Sequence, residues 1–190
     1  MSISNFPNGF ANGLTLRGVP VESTNPGKSF FVNNSSVLAE GGIGGSDSNK
    51  GTYQQPFKTI DYAIGKCTAA RGDVIYVMPG HVETCSTAAA GTATVDLDVD
   101  GVTIIGLGRG AAQPRFDMTA TAGIVTVTAD NCAIVNMNFH ANVPSVVIGL
   151  SVIAGATDLL VKNCSFDVET TTTDEFLISV NIGVCCTYTT

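Results

Sequence analysis

Tryptophan is missing from this 190-residue chain, histidine occurs twice, and only 13% of the residues are charged. So few large rings leave little material for an aromatic sugar-binding platform. Neither His81 nor His140 follows a cysteine at zinc-site spacing, and none of the six cysteines forms a C-x-x-C pair, so no zinc signature is present. Basic residues are scarce as well: nine Lys and Arg stand against sixteen Asp and Glu, a formal net charge of −7. Nucleic acid and anionic membranes are thereby excluded as expected partners, because the attraction to phosphate would have the wrong sign. There is no apolar run of about 18 residues, so no membrane-spanning helix is expected. The opening residues, MSISNFPNGFANG, hold neither a basic n-region nor an apolar stretch, and no secretion signal is expected.

What the chain does have is 44% hydrophobic residues, 21 glycines and an abundance of Thr, Val and Ile. That composition points to one rigid, β-rich domain. The cysteines (Cys67, Cys85, Cys132, Cys164, Cys185 and Cys186) are expected as reduced thiols, several of them inside apolar runs, which suits folding in a reducing cytoplasm.

Three sections follow one another. Residues 1–28 carry Pro7, Pro20, Pro26 and two Asn-Gly pairs among scattered apolar residues, the pattern of an extended arm. The arm could lie on its own domain or on a partner. Residues 29–190 are expected to form the folded domain. Within it, Phe57, Ile60, Ala63, Ile64 and Cys67 make an apolar stripe at helical period, with Thr59 as N-cap and Gly72 closing the unit. One helix near 57–67 is predicted.

From Asp73 the pattern changes to strand, turn, strand. The stretches VDLDVDGVTIIGL, TVTADNCAIVNMNF and IAGATDLLVKNCSF align so that Gly106, Asn136 and Asn163 are equivalent, as are Leu107, Met137 and Cys164. Offsets of 30 and 27 residues without intervening helices predict an all-β fold, a right-handed parallel β-helix of about four coils. The helix near 57–67 is placed to cap the N-terminal end of that solenoid.

Asp96, Asp98 and Asp100 alternate with Val95, Leu97 and Val99, which sends the acids to one outer face. The favoured reading is a solvated acidic stripe; weak binding of calcium or a cationic partner is the alternative. Asp100, before Gly101, corresponds to Asp130 one coil later, which suggests turn chemistry. His81, after Pro79-Gly80, and His140 read as turn histidines without a nucleophile beside them. Arg71-Gly72-Asp73 spells an integrin-type tripeptide but sits in a tight turn feeding a strand.

The stretch GGSDSNKGTYQQPFKTIDYAIGKCTAARGDVIYVMPGHVET (44–84), followed by VDGVTIIGLGRG and PRF, is similar to right-handed parallel β-helix proteins of the pectate-lyase-like superfamily. It resembles most a group of structural proteins of tailed bacteriophages. The resemblance covers roughly residues 28–116 and implies a fold shared by lyases, hydrolases, adhesins and inert virion proteins. Lyase relatives set calcium-binding Asp residues beside an Arg on neighbouring coils; here Arg109 and Arg115 read as lying in a Gly-rich turn. Phage tailspikes of this fold use a carboxylate pair in a groove lined by rings. Here only Phe139, Phe166, Phe176 and Tyr188 follow Phe116, and the best acid pairs, Asp167 with Glu169 and Asp174 with Glu175, read as a solvated Thr-rich loop.

The expectation is therefore a non-enzymatic virion protein without catalytic, metal or cofactor residues. Its implied role is a capsid decoration (cement) protein on the head of a tailed phage, assembled in the host cytoplasm. A homotrimer bound to the major capsid protein is expected, since the closing run LISVNIGVCCTYTT lacks a polar cap. The alternative is a carbohydrate-binding or depolymerising spike.

Overall fold

A computed structural model describes residues 27–35, 43–86, 94–169 and 174–183, together with the backbone of 15–16 and 19–20. Most of the expected arm at 1–28 lies outside the described residues, as do Cys185, Cys186 and Tyr188. Within the arm, β1 (Thr15–Leu16) pairs antiparallel with β2 (Val19–Pro20).

The rest is a parallel β-helix. On one side β3 (Ser29–Val32), β4 (Val74–Val77), β7 (Thr103–Gly106), β10 (Ala133–Val135) and β13 (Leu160–Lys162) form the first sheet, stacked in that order. The second sheet stacks β5 (Val82–Cys85), β8 (Arg115–Met118), β11 (Asn138–Ala141) and β14 (Ser165–Val168). In the third lie β6 (Val95–Leu97), β9 (Val125–Val127), β12 (Val146–Val152) and β15 (Phe176–Ile182). Every pairing within these three sheets is parallel. The register sets Ile75 beside Ile104, Ile104 beside Ile134 and Ile134 beside Val161, so successive levels lie 29, 30 and 27 residues apart (75 to 104 to 134 to 161). The 30 and 27 are the offsets expected from the sequence. About three full turns carry the chain from β4 to β13, slightly fewer than the expected four.

The short apolar strands work because each level stacks like on like. Ile75, Ile104 and Ile134 form one fully buried row; Val95, Val125 and Leu150 form another. A third runs Phe116, Phe139, Phe166, with ring centroids 5.1 and 4.6 Å apart. Corners repeat too: Gly72, Gly101, Asn131 and Asp158 all have φ between 54° and 76°, at equivalent places in successive turns. Left-handed backbone is open to Gly and tolerated by Asn and Asp, which explains the residue types at these corners. At the next corner Asn136 (φ 56°) donates its Nδ2 to the carbonyls of Gly106 and Gly108 at 2.7 and 2.9 Å, tying one coil to the one before.

The helix α1 (Ile60–Ile64) is shorter than the expected 57–67. Thr59 caps it as predicted, its hydroxyl accepting from the Tyr62 N–H. Phe57 is instead bridged to Val32, and Lys66 and Cys67 close a tight turn by bonding back three residues. Five residues suffice, because Ile60, Ala63 and Ile64 are all buried beneath the first level, against β3, β4 and β6. Cys67, Cys85, Cys132 and Cys164 are free thiols, and burial pushes the Cys67 thiol up to about 12.

Candidate functional site

Side chains of the second sheet alternate between the core and the outside. Phe116 and Phe139 point inward; Arg115, Asp117, Asn138, His140 and Asp167 point outward. Stacking then does what sequence distance hides. Asp117, His140 and Asp167 occupy one row, on neighbouring strands, each directly beside the next. His140 Nδ1 lies 2.7 Å from Asp167 Oδ1, and Nε2 lies 2.9 Å from Glu169 Oε2 and 3.8 Å from Asp117 Oδ1. The ring is only 7% exposed, whereas Asp167 and Glu169 are about half exposed. Burial works against a charge on this ring, but hydrogen bonds to Asp167 and Glu169 outweigh it and raise the pKa above the ordinary 6.5.

This corrects three expectations. His140 is a strand residue rather than a turn histidine, and Arg115 opens β8 rather than lying in the turn with Arg109. Asp167 sits on β14, and both it and Glu169 are engaged with the histidine instead of forming a free solvated loop. Asp174, by contrast, bridges to Pro144, and Glu175 is exposed.

Beside this row runs a groove of about 400 Å³, lined by Val82, Gln113, Arg115, Asn138 and Asp167. Its wall is the segment between β7 and β8, eight residues (107–114) that include a single 3₁₀ turn at Gly110–Ala112; the matching turn between β10 and β11 has two residues (136–137). Three buried polar atoms here make no hydrogen bond: Arg115 Nε, Asp117 Oδ1 and Asn138 Oδ1. Two of them, Arg115 Nε and Asp117 Oδ1, face each other at 3.6 Å as a loose ion pair. Aromatic rings are absent from its lining, because the phenylalanine row faces the core.

The other histidine is a different object. His81 is fully buried; its Nδ1 accepts from the Asn34 N–H at 3.0 Å and its Nε2 lies 2.9 Å from Glu83 Oε2. An acceptor at Nδ1 makes Nε2 the donor, so the ring is neutral. Glu83 Oε2 also accepts from the Ile60 N–H at 2.9 Å. Glu83 points inward in register with Phe116, so a carboxylate ends the phenylalanine row and anchors the start of α1. Nothing in the sequence analysis singled Glu83 out; its place in strand alternation as an inward acid was the available signal.

Val95 and Leu97 are fully buried with Asp96 between them facing out, as expected, but β6 ends at Leu97. Asp98 is exposed, and Asp100 belongs to the corner, where its Oδ1 accepts from the Asp130 N–H at 2.9 Å. Asp130 repeats the contact one level on, accepting from Thr157. Burial and the charge of Asp98 raise the pKa of Asp96. Among the described residues no group of three or more His, Cys, Asp or Glu is arranged to hold a metal ion. The Arg-Gly-Asp tripeptide is closed upon itself: Arg71 forks onto the fully buried Asp73 at 2.7 and 2.6 Å.

No helix among the described residues is long and apolar enough to cross a membrane. No curated protein and no solved structure matches the chain. Residues 43–174 match the family model described as protein of unknown function (DUF1565). That span takes in α1, the groove wall, the His140 row and the first three levels of the solenoid, and the chain belongs to this family of parallel β-helix proteins.

Proposed function

We propose that the protein is a structural component of a virus particle: a decoration (cement) protein that clamps the major capsid protein on the head of a tailed phage, with three copies acting together and no catalysis. One observation carries this reading. The core rows that are fully or almost fully buried at the third level end in exposed apolar side chains at the fourth. Ile134 gives way to Val161 (39% exposed), Leu150 to Val180 (41%) and Val152 to Ile182 (72%). Among the described residues β13, β14 and β15 are the last strands of their sheets, and such an edge is a surface that recruits other chains. The net charge of −7 suits a protein partner better than nucleic acid. The purified protein is expected to be trimeric by light scattering, to sediment with phage heads stripped of decoration, and to raise the temperature at which they disrupt. A stable monomer that leaves heads unbound would refute the proposal.

A second reading, binding or cleavage of carbohydrate, draws on the groove. Its polar lining of Gln113, Arg115, Asn138 and Asp167 suits hydroxyl groups, and Asp117 and Asp167 flank one imidazole. The ring-free lining weighs against it. Release of reducing ends from host polysaccharide would favour this reading over the first.

A further inference from the structure

The row through His140 poses a proton-counting problem. Both ring nitrogens lie within 3 Å of a carboxylate oxygen, at 2.7 and 2.9 Å. A neutral imidazole carries one N–H, so its other nitrogen would set a lone pair against a negative oxygen. With both carboxylates ionised, only the imidazolium, with two N–H groups, satisfies both contacts. The charged and polar groups around the ring come from every neighbouring strand. From β8 come Arg115, which opposes the charge, and Asp117, whose Oδ2 accepts from Asn142 at 3.3 Å. From β14 comes Asp167, which also accepts from Asn138 Nδ2 at 3.0 Å; Glu169 follows just beyond that strand.

We infer that His140 is positively charged in the folded protein and that this charge fastens the fourth level of the column to the third, so that loss of the proton loosens β14 and the residues after it. The sheet geometry supplies the device: the histidine belongs to β11, and its two closest carboxylates belong to the level above. Beside these contacts β14 is held by one row of backbone hydrogen bonds, by the Asn138 bond to Asp167 and by the partly buried Phe166 stacked on Phe139. The sign follows from linkage. A folded-state pKa above 6.5 means that the contribution is complete below that pH and disappears as pH rises through the folded value. The inference holds whatever covers the end of the column.

Nitrogen NMR of the His140 ring in the native protein, with amide exchange at residues 165–168, tests it. Both ring nitrogens should be protonated at about pH 7, and the ring should titrate above a free histidine. Opening of β14, corrected for the intrinsic pH dependence of exchange, should grow by up to about tenfold per pH unit between the two values. In His140→Gln that growth should vanish. A neutral ring at neutral pH, or the same pH dependence in the variant, would overturn the inference. Should His140→Gln not fold, Asp167→Asn and Glu169→Gln serve instead: each should lower the titration of the ring, and an unmoved titration would equally overturn it.

Discussion

The two ends of the column are built on opposite principles. At the first level polar groups are buried and fully engaged. Asp73 accepts from the Lys28 and Thr68 N–H groups as well as from Arg71, and Glu83 holds both His81 and the first turn of α1. At the fourth level apolar groups are exposed: Leu177, Val180 and Ile182 on β15, Leu160 and Val161 on β13, Val168 on β14. Burying a carboxylate costs least where its lone pairs are used, and that demands a fixed geometry. The first end has that geometry because α1 and the segment before β3 converge on it. The two histidines repeat the contrast, one neutral and sealed in a relay, the other charged and facing carboxylates at the rim. A capped end buries its polar groups with partners; an open end invites a partner.

Substitutions can break or sharpen that contrast. The largest effect is expected midway between the ends. Phe139→Ala removes the ring packed between Phe116 and Phe166 and should cost about 3–5 kcal/mol in denaturant unfolding, enough to lose the fold. Next, Asp73→Asn should cost about 2–3 kcal/mol by weakening charge-assisted bonds at the capped end. Arg71 holds the Asp73 carboxyl down at about 2, with the Thr68 and Lys28 N–H groups helping. Its stabilisation is therefore present above pH 3.8 and lost as pH falls towards 2, and an acid titration of the variant should lack that component. Asn136→Ala gives up two hydrogen bonds between coils and places Ala at positive φ, for about 1–2 kcal/mol. Smallest for the fold and largest for assembly is Leu177→Ser at the open end. Unfolding should shift by no more than about 0.5 kcal/mol, while self-association and head binding weaken. If Leu177→Ser unfolds the chain as Phe139→Ala does, the open end is core rather than contact surface.

Much of the architecture was legible because a solenoid writes its register into the chain. Aligning Gly106, Asn136 and Asn163 anticipated the pairing of Ile105 with Val135 and of Val135 with Lys162. Thr59 announced the start of α1. What could not be read was how much chain each corner uses. The same alignment, carried four residues past Asn136 and Asn163, sets His140 against Asp167, so that half of the row was within reach. Asp117 lies 23 residues before His140 rather than 30, because the longer segment 107–114 displaces it from the repeat. The excursion that hid the site is also the wall of its groove. Glu83 was missed for a related reason: inward acids violate the apolar pattern by which cores are recognised, and the Ile60 amide that it anchors lies on another element, 23 residues away.

The recurring left-handed corner at Gly72, Gly101, Asn131 and Asp158 makes each level interchangeable with the next. A tandem copy of residues 103–132 would enter on the register that Thr103 already shares with Ala133 and leave with Asn131's backbone geometry intact. Such a column can lengthen by duplication, one storey at a time, without inventing a new bend.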